Sequence, residues 1–149
     1  MNALTTKKIQ LPAMGANSIE KVYELESLAM ALPQAEIATH HALHAGMYAR
    51  TIMIPAGVIL TGALIKIDTI LIVSGHVHIF TGNETIEIEG YSILTASAGR
   101  KQVFTAVTDT YLTMLFKTEA KTYTKAEDEF TDEAHLLMSR HANAINMEE

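Results

Sequence analysis

The stretch from Met47 to Phe116 constrains the fold of this chain most, because short apolar segments alternate there with turn-forming residues. The segments are rich in Val, Ile and Thr, which favour strands. The breaks come about every 8–12 residues, a spacing typical of an all-β sandwich or barrel and not of alternating strands and helices. The breaks are Pro55-Ala56-Gly57, Gly75, Gly82-Asn83, Gly90, Ala98-Gly99 and Thr108-Asp109. The sequence therefore predicts one antiparallel barrel or sandwich.

Helices are predicted on both sides of this β-region. Asn17 to Glu20 has the form of a capping box with Asn17 as N-cap, and apolar residues follow at helical spacing until Pro33. Glu127 to Arg140 has acids early and a base late, which complements a helix dipole. The apolar stripe of the first helix is Val22, Leu25, Ala29 and Leu32. We expect this helix to pack on the barrel or across an oligomer interface.

The length of 149 residues fits one domain. Within it we predict four parts. They are an N-terminal arm (1–16), which a partner subunit could order, a helix (17–33), a β-barrel (35–117) and a C-terminal helical tail (118–149) whose last residues, Asn143 to Glu149, fray.

Charge and composition exclude several classes of function. The formal charge is −6 and no basic run exceeds Lys7-Lys8, so we predict no nucleic-acid partner. The absence of cysteine excludes disulfides, thiolate nucleophiles and cysteine zinc sites. The most apolar reach, Ile52 to Ile65, is too short and too broken to span a membrane as a helix, and no signal peptide follows Lys7-Lys8. We expect no membrane partner and a cytoplasmic location.

Glycine-containing positions fall at Pro55-Ala56-Gly57, Thr61-Gly62, Gly75, Gly90 and Ala98-Gly99. Over roughly Ala35 to Phe116, their spacing resembles that of the cupin family. The resemblance implies a mainly all-β fold: a single cupin-type double-stranded β-helix, or jelly-roll barrel, with the N-terminal helix and a short C-terminal helix outside it.

The metal ligands of cupins are not matched. The two histidines and the glutamate of the first cupin motif fall on Ala63, Ile65 and Asp68, and the histidine of the second motif falls on Lys101. A cupin metal site needs three or four imidazole and carboxylate donors that converge inside the barrel. We therefore expect no metal and no cofactor at that place.

Five further stretches are Leu32-Pro33-Gln34, Gly46-Met47-Tyr48-Ala49-Arg50, Ile54-Pro55-Ala56-Gly57, Leu60-Thr61-Gly62 and Asp109-Thr110. They give a closer resemblance, to small uncharacterised cupin-like proteins of bacteriophages. This resemblance implies a viral origin, which would place the protein in the host cytoplasm, and it implies no particular reaction.

Two groups of histidines could bind a metal. In a strand, His76 and His78 point to one face about 7 Å apart, close enough to chelate a divalent ion. The alternation with apolar neighbours favours a solvated face instead. His40 and His41 point opposite ways in an extended segment, so with His44 at most two of the three converge. A surface or interface role is the preferred interpretation, and a site shared between subunits is the alternative.

Six polar residues are the candidate ligand-binding set of the barrel interior. They are Lys66, Asp68, Lys101, Tyr111, Arg50 and Tyr48. Inside the barrel, burial would disfavour the charge of Lys101 unless Asp68 or a bound anion paired with it. Two interpretations stay open: a Lys–Asp pair that closes the barrel, or an anionic, nucleotide-like ligand that Lys101 holds with help from Arg100 or Arg50.

The preferred function is a non-enzymatic, metal-free cupin that binds a small polar or anionic ligand, such as a phage accessory protein that sequesters a host metabolite or signalling molecule. The alternatives are a phage structural or assembly protein, and a cupin isomerase or metalloenzyme with a non-standard site. No catalytic residue is assigned, because an isomerase would need a cavity histidine oriented by a carboxylate and none can be placed. Self-association, as a dimer first, is expected because exposed sheet edges are usually covered.

Overall fold

The computed structural model describes residues 9–138 and Arg140. In chain order the described part contains β1 (Gln10–Leu11), α1 (Ala16–Ala29), β2 (Ala38–His44), β3 (Met47–Ile54), β4 (Ile59–Thr61), β5 (Thr69–Phe80), β6 (Thr85–Ala96), β7 (Val103–Ala106), β8 (Thr110–Lys117), α2 (Tyr123–Phe130) and a 3₁₀ turn (Ala134–Leu136).

The strands form one curved eight-stranded sheet with the order β1-β6-β5-β8-β3-β2 along its main path. Strand β7 pairs with β4 and with the far half of β5, which folds that part of the sheet over the rest. Every pairing is antiparallel except that of β1 with β6. The predicted jelly-roll barrel with an N-terminal and a short C-terminal helix is confirmed.

The hydrophobic core lies inside the barrel because alternate residues of each long strand point inward. Each fully buried aliphatic or aromatic side chain there stabilises the fold by roughly 1.5–3 kcal/mol relative to an exposed one. The contributions from the strands include Tyr48, Ile54, Leu71, Val73, Val77, Ile79, Ile88, Leu94, Phe104, Leu112 and Phe116. Ala126 and Phe130 of α2 extend the core and close one end of it.

The sequence predicted that strands end at Gly75 and Gly90, and this prediction is wrong. Strands β5 and β6 continue through them, and the two glycines lie opposite each other in register. Both have positive φ, 143° and 97°. A Cβ on Gly75 would lie 2.8 Å from the Cα of Thr110, so only glycine lets the hairpin bend this closely over β8.

The N-terminal helix differs from its prediction at both ends. Its N-cap is Gly15, so Asn17 lies inside the helix and the predicted capping box is wrong. The helix ends at Ala29, where the N–H of Leu32 turns back to the Ala29 carbonyl (3.0 Å), before Pro33 is reached. Of the predicted apolar stripe only Val22 is buried. Polar contacts with the barrel, described below, hold the other side of this helix.

The two chain ends pack on the barrel over their described parts. Residues 1–8 lie outside the description, but Gln10–Leu11 pairs with β6 and Leu11 is fully buried, so this end of the predicted arm belongs to its own barrel. Helix α2 begins before the predicted span of Glu127 to Arg140, because Thr122 caps it by accepting the Lys125 N–H (3.2 Å), and it ends at Phe130 within that span. Met138 and Arg140 are again helical. The predicted fraying of Asn143 to Glu149 concerns residues outside the described ones.

No helix within residues 9–138 has the length and apolar character needed to cross a membrane.

Candidate functional site

A cavity of about 170 Å³ lies inside the barrel, between the β-layers and the C-terminal segment. Its wall is mostly apolar, and the apolar side chains include Ile52, Leu60, Leu71, Phe104, Leu112 and Phe130. Strands place the first five of these residues there by alternation, Phe130 comes from α2, and Leu137 and Met138 reach the cavity from the segment that follows α2. The few polar groups in such a wall determine what it can bind.

Arg100 brings a positive charge into this wall. The residue is 2% exposed, and its guanidinium donates to the Ser97 carbonyl and to the Thr69 hydroxyl, both at 2.8 Å. It forms no ion pair with any residue in the described part of the chain. Burial lowers the pKa of Arg100 to about 10 although the charge of Asp68 opposes this shift, so the group is cationic at neutral pH.

Gln102 adds an unused hydrogen-bond donor to the same wall. The residue is 4% exposed, and its Nε2 has no hydrogen-bond partner among the described residues. A buried donor without a partner costs about 1–3 kcal/mol of stability. An acceptor group bound in the cavity would remove that cost.

Lys101, between these two residues, faces the opposite way. It is fully buried beneath α1, where its Nζ contacts the Gly62 carbonyl (2.8 Å), Glu26 (3.2 Å) and Glu133 (3.6 Å). The predicted placement of Lys101 inside the cavity is therefore wrong, and so is its pairing with Asp68. The bridge between Arg100 and Ile65 fixes this register, which sends residues 100 and 102 inward and residue 101 outward.

The acids around Lys101 form a closed network with Tyr23. The Tyr23 hydroxyl donates to Glu133 Oε2 (2.5 Å), and the Nζ of Lys101 lies 4.4 Å from the ring centre of Tyr23. Burial disfavours the charge of Glu133, but hydrogen bonds from Tyr23 and the Leu64 N–H and the charge of Lys101 lower its pKa overall. Burial and the hydrogen bond to Glu133 raise the pKa of Tyr23 to about 12. Lys101 is thus neutralised by the protein itself.

Arg50 is the one member of the predicted set that lines the described cavity. Its guanidinium donates to Glu127 Oε2 (2.6 Å), and the other oxygen of Glu127 accepts from Arg140 (2.6 Å). Tyr48 is fully buried nearby, and its hydroxyl is hydrogen-bonded to His41 Nδ1 (2.7 Å). Burial raises the pKa of Tyr48, and the charge of Arg50 opposes that shift.

Lys66, Asp68 and Tyr111 lie on the surface, outside the cavity lining. Lys66 pairs with Asp132 (2.5 Å), and Asp68 accepts the Ala98 N–H (2.8 Å). The prediction that they face the cavity is wrong, because Ile65 and Ile67 pack against the core beside Lys66 and Asp68, and Thr110 and Leu112 are the buried residues beside Tyr111. Whether any of the three binds a ligand stays a prediction.

The residues at the usual cupin metal position do not fit a metal ion. Ala63 and Ile65 line the cavity and supply only hydrocarbon, while Asp68 points away. The carboxylates that do reach the lining, Glu26 and Glu133, already contact Lys101. The lining contains no histidine within the described part of the chain. This donor set cannot supply the converging ligands that a divalent ion needs.

The histidines among the described residues lie outside the cavity. His40 and His44 are exposed on one side of β2, and His41 is on the other side against Tyr48, as the alternation predicted. His76 and His78 share the outer face of β5, where Glu87 of β6 contacts both, His76 at 2.5 Å and His78 at 3.5 Å. The hydrogen bond from His76 is the main cause of the lowered pKa of Glu87.

Four acids and one amide at these sites were not predicted from the sequence. Glu26, Glu127 and Glu133 come from segments far along the chain from the cations they meet, and nothing local indicates such pairs. Gln102 could have been found, since it alternates with Arg100 and Phe104. Glu87 could also have been found, because the loop after Phe80 sets the hairpin register.

Solved structures share this fold. No protein-family model matches the chain, and no curated protein matches it. The salicylate 1,2-dioxygenase of Pseudaminobacter salicylatoxidans is similar with a TM-score of 0.51 and 13% identity, over 76% of this chain and 35% of that one. A cupin superfamily protein of Desulfitobacterium hafniense is similar with a TM-score of 0.48 and 14% identity, over 62% of this chain and 88% of that one. The cupin domain of Schizosaccharomyces pombe Cnp3 is similar with a TM-score of 0.46 and 11% identity, over 56% and 66% of the two chains. At these identities the likeness concerns the fold alone.

Proposed function

We propose that this protein of cupin fold binds, without catalysis and without a metal, a small anion with an apolar body in the cavity beside Arg100 and Gln102. One observation carries the proposal: a cation without an ion-pair partner and a donor without a hydrogen-bond partner lie in the wall of one mostly apolar cavity whose other charged groups are already paired, as judged over the described residues. A carboxylate would pair with the charge of Arg100 and accept the hydrogen bond of Gln102.

The cavity limits the size of the ligand. An apolar cavity of about 150 Å³ accepts benzene, so about 170 Å³ suits a single-ring or short-chain monocarboxylate. Its apolar body would leave water for a wall of aliphatic and aromatic side chains, which contributes roughly 25 cal/mol per Å² buried. A nucleotide is too large for this volume, so we restrict the predicted ligand class to small anions.

The chemistry of the wall favours binding over catalysis. An isomerase of the kind considered above needs a base in the cavity, yet the described lining offers no histidine and its two glutamates are held by Lys101. We extend the proposal to the sequestering of a host metabolite or signalling molecule by a phage-encoded protein. The support for that setting is the sequence resemblance alone.

Self-association remains part of the proposal. Strand β2 pairs only with β3, so its other edge is a free strand edge of the sheet within the described residues. Free edges invite pairing with a second chain. A sedimentation measurement that finds only monomers would remove this part and leave the binding proposal intact.

The test compares charged and neutral probes of one size. Benzoate and hexanoate should raise the melting temperature of the full chain, because a ligand at 100 times its dissociation constant adds about 2.7 kcal/mol of stability. Benzyl alcohol, which has a similar shape and no charge, should bind at least about tenfold more weakly. The same titrations on Arg100→Met should show the loss of this preference, and Lys66→Met, outside the cavity, should retain it.

Each possible outcome tests a different part of the proposal. Equal binding of benzoate and benzyl alcohol would show that the site does not recognise the negative charge of the ligand. Unchanged benzoate binding in Arg100→Met would place the site elsewhere. The absence of any shift with a panel of small monocarboxylates would overturn the proposal as a whole.

A further inference from the structure

Three side chains with metal-binding atoms meet on the outer face of the β5–β6 hairpin, outside the lining of the apolar cavity. His76 Nε2 and His78 Nε2 lie 2.5 Å and 3.5 Å from the same oxygen of Glu87. One donor atom from each of the three residues lies within 4.8 Å of the other two. The arrangement follows from the fold, since the histidines are two residues apart on one strand and Glu87 lies opposite His78.

The spacing suits a tetrahedral ion. Bonds of about 2.0–2.1 Å to nitrogen and oxygen hold the ligand atoms of such an ion about 3.3 Å apart. The contact between His78 and Glu87 is already near this value, and the hydrogen bond between His76 and Glu87 has to open by less than about 1 Å. The side chains of His78 and Glu87 are 43% and 58% exposed, so they can make this adjustment.

The backbone that carries the three ligands is held in place before any ion binds. Val77 and Ile88, next to the ligands on the two strands, are buried in the core. The N–H of His76 donates to the Thr110 hydroxyl (3.2 Å), and its carbonyl accepts the Val107 N–H (2.8 Å). An ion therefore does not have to order the chain when it binds.

We propose that His76, His78 and Glu87 bind a divalent transition-metal ion, with Zn²⁺ as the best match, and that water completes the coordination. Two imidazoles and one carboxylate suit Zn²⁺, Ni²⁺ or Cu²⁺, whereas Mg²⁺ and Ca²⁺ prefer shells made of oxygen. Three protein ligands leave one tetrahedral position open. The site is independent of the cavity, and it adds a second binding function to the one proposed above.

The test is a calorimetric titration of untagged full-length protein with ZnCl₂. We expect about one equivalent of Zn²⁺ to bind, and no heat with MgCl₂. His78→Ala and Glu87→Gln should each weaken Zn²⁺ binding about tenfold or more, since each removes a direct ligand. Co²⁺ in place of Zn²⁺ should give the intense visible absorption of a tetrahedral ion, and Glu87→Gln should lose it.

Two matched controls come from the same molecule. Glu89→Gln removes the same charge from an exposed position on the same face of β6, opposite His76 in register. The double variant His40→Ala/His44→Ala removes two exposed histidines of another strand. Both should bind Zn²⁺ within about threefold of the natural protein.

Several results would overturn the site. They are Zn²⁺ binding that survives in both His78→Ala and Glu87→Gln, binding that falls equally in Glu89→Gln, and more than two weak equivalents with no effect of any variant. Circular dichroism verifies that each variant folds, and the exposure of the replaced side chains makes folding the expected result. Benzoate binding should not change when Zn²⁺ is added, so the two proposals fail or succeed separately.

Discussion

Arg100 and Lys101 are neighbours in sequence and both are buried, yet the regions around them are opposites. Beneath α1, Lys101 meets Glu26 and Glu133, so its charge is neutralised inside the protein. In the cavity, Arg100 meets neutral acceptors, the Ser97 carbonyl and the Thr69 hydroxyl. A buried charge is expensive unless it is paired. The first region therefore holds the fold together, and the second is the one that we propose for ligand binding.

Lys101→Met should have the largest effect on stability. It leaves two partly buried carboxylates without their cation, and loss of one partner of a buried pair costs about 3–5 kcal/mol. Because the side chains of Glu26 and Glu133 are 28% and 20% exposed, we expect the lower end, about 3 kcal/mol. Urea unfolding measures it. The control Lys66→Met breaks an exposed pair with Asp132 and should cost less than about 1 kcal/mol. A similar loss in both variants would contradict the contrast between the two regions.

Arg100→Met should lose less stability than Lys101→Met although Arg100 is buried as well. It gives up hydrogen bonds to Ser97 and Thr69 but leaves no carboxylate unpaired, so we expect a loss of about 1–2 kcal/mol in the same urea experiment. The affinity of Arg100→Met for benzoate should fall about tenfold or more. Folded Lys101→Met should keep the affinity of the natural protein. A larger destabilisation by Arg100→Met than by Lys101→Met would reverse the roles assigned here.

Gln102→Leu should separate binding from stability most sharply. It removes a buried donor that has no partner among the described residues, so stability should stay equal or rise by up to about 1 kcal/mol. Binding of benzoate should weaken by about 1 kcal/mol because the hydrogen bond to its carboxylate is lost. Thermal unfolding with and without benzoate measures both quantities. A clear loss of stability without ligand would show that Gln102 supports the fold.

The smallest expected effects are changes with pH in the free energy of unfolding, and they come from two groups near Lys101. The pKa of Tyr23 is raised from 10 to about 12 in the folded protein, so its stabilising contribution is complete below pH 10 and is lost as the pH rises toward 12. Tyr23→Phe should flatten this alkaline decline. Glu133 has a lowered pKa, so its contribution is present above the ordinary glutamate pKa and is lost as the pH falls through the folded value. Urea unfolding across pH measures both, and an unchanged alkaline decline in Tyr23→Phe would contradict the assignment.

The architecture could be predicted from the sequence, because turn residues and alternation are local signals. They predicted the β-region that begins at Met47 and an interior position for Tyr48 and Arg50, which are both buried on β3. Gly75 and Gly90 misled the same reasoning, since a glycine pair facing across a hairpin has the same sequence signature as two turns.

The candidate site could be predicted only in part. A shift of one residue exchanges the two faces of a strand, and the motif spacing placed Lys101 inward where Arg100 and Gln102 belong. The partners of the buried cations are set by how the ends of the chain pack on the barrel. Glu26, which binds Lys101, is 75 residues away in sequence, and no local pattern indicates a contact at that range.

The long β5–β6 hairpin also has a kinetic consequence. Its strands are adjacent in sequence and meet at a short loop, with Phe80 opposite Thr85, whereas β3 pairs with β8 from far along the chain. Because the entropy lost on loop closure grows with loop length, the hairpin should form early during folding and the β3–β8 seam should close late. Val77→Ala should therefore slow refolding, and Ile52→Val should mainly accelerate unfolding. During synthesis on the ribosome, β3 and β5 could then pair with β8 only after β8 had been translated, so the barrel would close late.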